Sequence, residues 1–245
     1  MSKIITVYGS AGSYKTTTAL ALAHQISKTN GNANVVVVGI DTTKPLLPMA
    51  APHEKKFTGS LGKCLSAVSF EQDVLFRNIC MLTNRVGVLS YNIRENANTY
   101  ALVSPDRIDD VYTTLRHSCD FTIIDCTSDV VASKLASKAI IHSDRTLELL
   151  TCDVGGLVFD GSQEPVLQSE QYQYKDFIRL LALDKRFKQD EAAMTAAMGR
   201  ISGSIPYSTK AAEYFNQGRI LLDGTDDSIY NHAIKSLAKL LTEEE

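Results

Sequence analysis

Short apolar runs rich in β-branched residues alternate along this chain with stretches in which apolar residues recur every three or four positions. The runs are typical of strands, and the stretches are typical of helices. The predicted strands are Lys3 to Tyr8, Asn34 to Ile40, Arg85 to Tyr91, Phe121 to Asp125, Arg145 to Thr151, Phe177 to Leu183 and Ile201 to Ile205. The predicted helices are about Thr16 to Lys28, Pro105 to Arg116, Val130 to His142, Ser208 to Gln217 and Asp227 to Leu241.

This alternation predicts an α/β fold in which parallel strands are joined by crossover helices. Most of the strand segments are apolar without interruption, as is typical of strands covered on both faces. We therefore expect a doubly wound, mostly parallel twisted sheet of about seven strands with helices on both faces. No segment resembles a linker, so residues 1–245 are predicted to form a single domain.

Composition and charge narrow the classes of protein. The chain has 44% hydrophobic and 22% charged residues, and its 25 basic and 28 acidic residues give a net charge of −3. This balance makes nucleic acid unlikely as the main partner without excluding it, and the small clusters Lys55–Lys56 and Lys185–Arg186 with Lys188 are interpreted as solvated surface. The apolar runs are shorter than the roughly 20 residues of a membrane span, and no signal peptide is evident. We expect no transmembrane segment and a cytoplasmic location.

Five cysteines are spread widely along the chain and never form a C-x-x-C pair. Their odd number and wide spacing argue against a disulfide framework and against a zinc site. They are interpreted as buried thiols. They are Cys64, Cys80, Cys119, Cys126 and Cys152.

The first predicted strand leads directly into Gly9-Ser10-Ala11-Gly12-Ser13-Tyr14-Lys15-Thr16-Thr17, and a predicted helix follows. A strand, a glycine-containing loop and a helix are the setting of a phosphate-binding loop, whose backbone N–H groups and helix dipole hold an anion. In this motif Lys15 reaches the terminal phosphates and the Thr16 hydroxyl is a ligand of Mg²⁺. Tyr14 departs from the motif, which has glycine there, so its side chain is expected to crowd the phosphates or to demand a different turn. All residues from 9 to 17 are predicted to bind nucleotide.

Two other predicted strands end in an aspartate. Asp41 follows the run from Val35 to Ile40, and Asp125 closes the run that begins at Phe121. Because the carboxyl ends of parallel strands near the switch point of a doubly wound sheet meet at one crevice, both carboxylates are predicted to reach the metal and phosphate region. Acidic residues after strands also commonly cap the next helix, and that alternative stays open. Combined with the loop, the pattern predicts Asp125 as a carboxylate that holds Mg²⁺.

The order of these segments resembles the ParA/MinD branch of P-loop ATPases. The resemblance covers about Lys3 to Leu222 and includes the loop, both strand-end aspartates, and Gly203-Ser204-Ile205-Pro206-Tyr207 followed by Ala211-Ala212-Glu213. Within that branch, residues 9–13 and 41–48 are most similar to the CpaE/TadZ-type ATPases associated with Tad (Flp) pilus assembly.

The resemblance implies roles for individual residues. Lys15 would contact the terminal phosphates and Asp41 would orient the attacking water, which makes both catalytic. Thr16 and Asp125 would hold Mg²⁺. The resemblance also implies ATP and Mg²⁺ as cofactors, a homodimer that forms with ATP and separates after slow hydrolysis, and a protein partner in a pilus or secretion apparatus.

The base of the nucleotide is assigned to two further residues by the same resemblance. Pro206 and its neighbours would line the adenine. Asp184 falls where many members of the family have an asparagine that reads adenine. A carboxylate only accepts hydrogen bonds, so Asp184 suits the adenine amino group and equally the N–H groups of guanine. ATP is preferred by the family analogy alone.

Two departures from the family pattern bear on hydrolysis. Ser10 stands where the family has a second lysine that reaches the partner's nucleotide, and residues 126–129 lack the usual proline and glycine of switch II. Because phosphoryl transfer depends on positioning and charge stabilisation, losing a cation slows turnover while leaving binding intact. The sequence thus favours an Mg²⁺-dependent ATP-binding protein with slow hydrolysis, whose nucleotide-gated dimer positions pilus-assembly or secretion machinery. The alternatives are a DNA- or plasmid-partitioning ATPase and a catalytically weak nucleotide-binding scaffold.

Overall fold

The structure is a computed structural model that describes residues 2–31, 33–51, 57–96, 98–100, 103–184, 186–218 and 227–243. Lys55, Lys56 and Lys185 of the basic clusters lie outside the described residues. Within the described ranges, eight strands form one sheet. The strands are β1 Lys3–Gly9, β2 Val35–Gly39, β3 Cys80–Met81, β4 Val86–Ser90, β5 Phe121–Asp125, β6 Arg145–Thr151, β7 Ile178–Ala182 and β8 Gly203–Ile205.

The strands lie in the order β3-β4-β2-β5-β1-β6-β7-β8. All neighbours are parallel except β3, which pairs antiparallel with β4. The predicted doubly wound, mostly parallel sheet is therefore confirmed, with one strand more than expected, because β3 has only two residues and leaves no apolar run. β1 lies between β5 and β6, and its carboxyl end is a switch point of the sheet, where such folds form their binding crevice.

Helices cover the sheet on both faces. Four of the predicted helices are found within two residues of their expected ends, and the helix expected from Val130 begins only at Lys134. The sequence did not predict five further helices, which are Leu46–Ala50, Leu61–Ser66, Gln72–Asn78, Val154–Leu167 and Glu191–Met198. In the described residues the helices are α1 Lys15–Thr29, α2 Leu46–Ala50, α3 Leu61–Ser66, α4 Gln72–Asn78, α5 Pro105–Ser118, α6 Lys134–Ile141, α7 Val154–Leu167, α8 Glu191–Met198, α9 Thr209–Asn216 and α10 Ser228–Thr242.

The alternation of side chains along each strand divides the core into two layers. From β1, Ile5 and Val7 belong to the cluster that includes α1 and α10. Ile4 and Tyr8 belong to the opposite cluster, which includes α5 and α6. With β1 buried on both faces, its carboxyl end is held in place and the loop that follows begins from a rigid support.

The last helix packs against α1, as its apolar face predicts. Ile234, Leu237 and Leu241 are buried there, whereas Ile229 and Leu240 are exposed. All five cysteines are buried and carry free thiols, which confirms their interpretation. Among the described residues, no helix combines the length and the apolarity needed to cross a bilayer.

A buried ionic cluster joins β6, β7 and α7. Arg179 of β7 donates from Nε to Glu148 Oε2 of β6 at 2.6 Å, from Nη1 to the carbonyl oxygen of Gly199 at 3.0 Å, and from Nη2 to Asp160 of α7. The three charged residues are 0–5% exposed. Burial raises the pKa of Glu148 to about 7, against the opposing effect of Arg179. One guanidinium is therefore shared by two buried carboxyl groups.

Candidate phosphate-binding site

The loop between β1 and α1 turns sharply at Gly9. Gly9 has φ +140°, and a Cβ at this position would lie 1.9 Å from the carbonyl oxygen of Leu149 on β6. That carbonyl accepts a hydrogen bond from Ser10 N at 3.0 Å. Only glycine allows this close approach of two backbones. The contact fixes the direction in which the loop leaves the sheet.

Ser10 is directed into the protein and not into the loop. Its side chain is 3% exposed, and its Oγ accepts a hydrogen bond from Thr151 N at 2.9 Å. The hydroxyl therefore ties the loop to the end of β6. A serine in this position contributes no positive charge to the site.

Tyr14 has φ 62° and ψ 24°, the left-handed conformation that the glycine of the motif adopts readily. A non-glycine residue in this conformation costs about 1–2 kcal/mol. The helix begins in the usual way, because Thr18 N donates to the Tyr14 carbonyl oxygen at 2.9 Å. The tyrosine side chain lies beside the loop and donates from its hydroxyl to Asp184 Oδ2 at 3.0 Å. Burial, reinforced by Asp184, raises the pKa of the Tyr14 hydroxyl to about 12.

Lys15 follows the loop, and its side chain folds back onto the start of that loop. Its Nζ donates to the carbonyl oxygens of Gly9 at 3.0 Å and Ser10 at 2.7 Å, and to Ser128 Oγ at 3.0 Å. Burial lowers the pKa of the Lys15 ammonium, and the nearby Asp125 carboxylate opposes this effect. The ammonium group is thus held by neutral acceptors of the chain itself, beside the loop that would receive an anion.

Thr16 and Asp125 form the second contact across the site. The Thr16 hydroxyl donates to Asp125 Oδ2 at 2.7 Å, so the end of β5 is joined to the first turn of α1. Burial raises the pKa of Asp125 to about 6, although the Thr16 hydroxyl and the Lys15 ammonium both favour its charged form. Since the Thr16 hydroxyl is the donor in its hydrogen bond to Asp125, its oxygen lone pairs remain available to a cation.

Asp41 follows β2, the strand next to β5, and lines the same crevice as Asp125. Its Oδ1 accepts from Thr43 N and Thr43 Oγ1, both at 2.7 Å, and from Lys44 N at 3.2 Å. The carboxylate thus shapes the turn after β2, and its Oδ2 receives none of these three bonds. Both strand-end aspartates line the same crevice, as their positions in the sequence predict.

These residues surround a cavity of about 430 Å³ at the carboxyl end of the sheet. Residues 11–17, Asp41 and Asp125 line it, whereas Gly9 and Ser10 support the loop from behind. Further lining residues were not predicted as site residues. They are Thr43, Lys44, Met49, Cys126, Thr127, Ser128 and Phe215.

The residues fit a magnesium-bound phosphate chain. The fit rests on the half-buried Lys15 ammonium group, the buried Asp125 carboxylate and the Thr16 hydroxyl beside an open cavity. In the described part of the chain, no three His, Cys, Asp or Glu residues are placed to hold a metal by themselves. Mg²⁺ commonly uses one or two carboxylates together with substrate phosphates and water, so Thr16 and Asp125 are a sufficient protein contribution.

The two residues assigned to the base lie on the other side of Tyr14. Asp184 contacts Tyr14 directly, and Pro206 borders a small space of about 20 Å³ together with Tyr14, Thr17 and Tyr207. Neither residue lines the larger cavity. Asp184 also accepts hydrogen bonds from Arg186, which lower its pKa to about 2.

Three residues make contacts around the site that were not predicted from the sequence. They are Ser128, Arg186 and Tyr207. Ser128 accepts from Lys15, and its carbonyl oxygen lies 3.4 Å from the Tyr8 hydroxyl, which also donates to Gln163 Oε1 at 3.1 Å. Arg186 binds Asp184, and its guanidinium carbon lies 5.1 Å from the centre of the Tyr207 ring. Apart from the Arg186–Asp184 pair, these contacts join segments distant in sequence, and no spacing rule identifies such pairs.

The central β1 strand, the loop at its carboxyl end and the parallel sheet together define a P-loop NTPase fold. Solved structures place it more narrowly. The chain aligns with a ParA family ATPase from Chlorobium tepidum TLS with a TM-score of 0.81 and 15% identity, over 98% of this chain and 99% of that one. It also aligns with the septum site-determining protein MinD from Pyrococcus horikoshii OT3, solved in complex with Mg-ADP. The TM-score is 0.79 and the identity 18%, over 99% of this chain and 97% of that one.

A third solved structure, apo McdA from Cyanthece, matches with a TM-score of 0.71 and 19% identity over 96% of this chain and 99% of that chain. No protein-family model and no curated protein matches the sequence. At these identities the structures establish the fold alone. The chain has the ParA/MinD fold along nearly its whole length.

Proposed function

We propose that this protein is an Mg²⁺-dependent ATP-binding protein with slow hydrolysis. The observation that carries the proposal is the convergence of Lys15, Thr16 and Asp125 on one cavity at the carboxyl end of the sheet. Lys15 binds the terminal phosphates, and Thr16 with Asp125 holds Mg²⁺, which neutralises phosphate charge when bound. Asp41 lines the same cavity and orients the attacking water. Titrating the protein with ATP in the presence and absence of Mg²⁺ tests the proposal.

Slow hydrolysis follows from the cations that surround the cavity. Ser10 contributes a buried hydroxyl in place of a second loop lysine. Lys44 also lines the cavity but is exposed to solvent, whereas Lys15 is half-buried and hydrogen-bonded to the loop. Positioned charge supplies most of the rate enhancement in phosphoryl transfer. We therefore expect this site to bind ATP but to hydrolyse it slowly.

The biological role we propose is that of a nucleotide-gated homodimer that positions pilus-assembly or secretion machinery in the cytoplasm. It is supported by the fold and by the resemblance of residues 9–13 and 41–48 to CpaE/TadZ-type ATPases. The buried Ser10 specifically favours one alternative, a catalytically weak nucleotide-binding scaffold. A measurement of the ATP turnover rate distinguishes such a scaffold from a slow ATPase.

Nucleotide-dependent association is the first test of this role. We expect sedimentation velocity to show a larger species with Mg²⁺ and ATP than without nucleotide. The Lys15→Ala variant, which lacks the phosphate contact, is expected to stay in the smaller form in both conditions. A single species of unchanged size in the wild-type protein, at saturating ATP, would overturn the dimer.

Asp125→Asn is expected to remove the Mg²⁺ dependence of ATP binding. The amide keeps an acceptor for the Thr16 hydroxyl but lacks the charge that holds the cation, so the gain in affinity produced by Mg²⁺ should fall by about tenfold or more. Calorimetric titrations with and without Mg²⁺ measure this gain. Asp129→Asn, in the same loop, is the matched control and should retain it. Equal Mg²⁺ dependence in both variants would contradict the metal role of Asp125.

A further inference from the structure

A cluster of four side chains lies beside the phosphate cavity, where the base of a bound nucleotide would extend. Tyr14 and Thr17 line both the cavity and the small space next to Pro206, so this side of the loop leads from the phosphates toward that space. Tyr14 contacts Asp184 through its hydroxyl and Tyr207 through its ring, with 5.4 Å between the ring centres. Arg186 lies over the Tyr207 ring and binds Asp184.

The Asp184 carboxylate has no acceptor capacity left for a base. Its Oδ1 accepts from Arg186 N at 3.0 Å and Arg186 Nε at 2.8 Å. Its Oδ2 accepts from the Tyr14 hydroxyl at 3.0 Å, Arg186 Nε at 3.1 Å and Arg186 Nη2 at 2.5 Å. A carboxylate offers about four lone-pair positions, and these five contacts use them. The residue best suited to read adenine or guanine is therefore engaged within the protein.

The space near Pro206 is also too small for a base. Its volume of about 20 Å³ is far smaller than a purine, so a base has to lie on the outer surface of the cluster. That surface consists of two tyrosine rings and a guanidinium plane. Such surfaces stack with any base, because every base has a π-face, and they do not distinguish its hydrogen-bonding edge.

We infer that Tyr14 sets the base selectivity of this site: with Arg186 it withholds Asp184 from the base, so nucleoside triphosphates bind through their phosphates and through stacking with little preference between adenine and guanine. This inference rests on the proposed nucleotide binding. It assigns to Tyr14 a function that explains why the chain keeps a tyrosine in a left-handed conformation. Tyr14 thus borders both the phosphate cavity and the space next to Pro206.

Competition against a fluorescent ATP analogue, with Mg²⁺, tests the inference. The unlabelled competitors are ATP, GTP and inorganic tripolyphosphate. For the wild-type protein we expect the Kd values of ATP and GTP to agree within about threefold, since Tyr14 and Arg186 engage the Asp184 carboxylate and stacking does not distinguish the bases. In the double variant Tyr14→Phe, Arg186→Gln, which keeps the ring but releases Asp184, GTP should gain at least about fivefold over ATP, because a carboxylate accepts from two N–H groups of guanine and one of adenine.

Lys188→Gln is the matched control, because it removes an exposed cation two residues beyond Arg186. It should leave the ratio of the two Kd values unchanged, and tripolyphosphate should compete equally in all three proteins, which shows that the loop is intact. Preference of the wild-type protein for one base by more than about 20-fold, or an unchanged ratio in the double variant, would overturn the inference while leaving nucleotide binding in place. If neither the nucleotides nor tripolyphosphate bound, the proposed function itself would fail.

Discussion

Replacing Lys15 by alanine is expected to weaken binding of Mg²⁺ and ATP by at least about 100-fold, or roughly 2.7 kcal/mol. Lys15 is the one loop side chain that brings a full positive charge into the cavity, and its surroundings of backbone carbonyls and the Ser128 hydroxyl leave its charge unpaired by a direct carboxylate contact. A partly dehydrated ammonium group gains more from a phosphate than an exposed one does. Isothermal titration calorimetry measures the loss.

The matched control for this prediction is Lys28→Ala, at the other end of the same helix. Lys28 is exposed and lies away from the cavity, so its removal should leave the Kd for ATP unchanged. Circular dichroism of both variants shows whether the fold is retained. A folded Lys15→Ala variant with the wild-type Kd would refute the phosphate site.

Replacing Arg179 by alanine is expected to lower the free energy of unfolding by about 3–5 kcal/mol and the melting temperature by about 10 °C. The substitution leaves Glu148 and Asp160 buried without their shared cation. It also removes the donor to the Gly199 carbonyl oxygen and the cation 5.5 Å from the Tyr174 ring centre. Uncompensated buried charge is among the most costly changes a core can undergo. Urea titration and thermal melting measure the effect.

Arg116→Ala provides the comparison with an ion pair at the surface. Arg116 binds Asp144 at 2.8 Å, but their side chains are 32% and 36% exposed, so its loss should cost less than about 1 kcal/mol. A second variant, Arg179→Ala with Glu148→Gln, should recover part of the stability, because it removes one of the two unpaired charges. If Arg179→Ala were no more destabilising than Arg116→Ala, the buried cluster would not have the role described.

The strands could be predicted from the sequence because buried parallel strands leave uninterrupted apolar runs, such as Val35 to Ile40. The phosphate loop could be predicted because its chemistry depends on neighbours in sequence. α7 could not, since Val154–Leu167 contains three glycines and a proline, which disfavour helix on local propensity. One of these glycines has a tertiary reason: a Cβ on Gly156 would lie 1.9 Å from the carbonyl oxygen of Thr151. Close packing on β6 thus overrides propensity.

In the candidate site, too, the features set by local sequence were predictable and those set by tertiary contacts were not. Lys15, Thr16, Asp41 and Asp125 were predicted, and the structure brings all four to one cavity. The direction of the Tyr14 side chain depends on Asp184, 170 residues further along the chain. A single sequence gives no signal for such a pairing, so the state of the Asp184 carboxylate was beyond prediction.

The Tyr8 hydroxyl has one proton and two acceptors, the Ser128 carbonyl oxygen and Gln163 of α7. The single O–H group is shared between these two acceptors, at 3.4 Å from the Ser128 carbonyl oxygen and 3.1 Å from Gln163 Oε1. Ser128 in turn is bound by the ammonium group that faces the cavity. One continuous chain of hydrogen bonds therefore connects Lys15 at the cavity, through Ser128 and Tyr8, to Gln163 of α7.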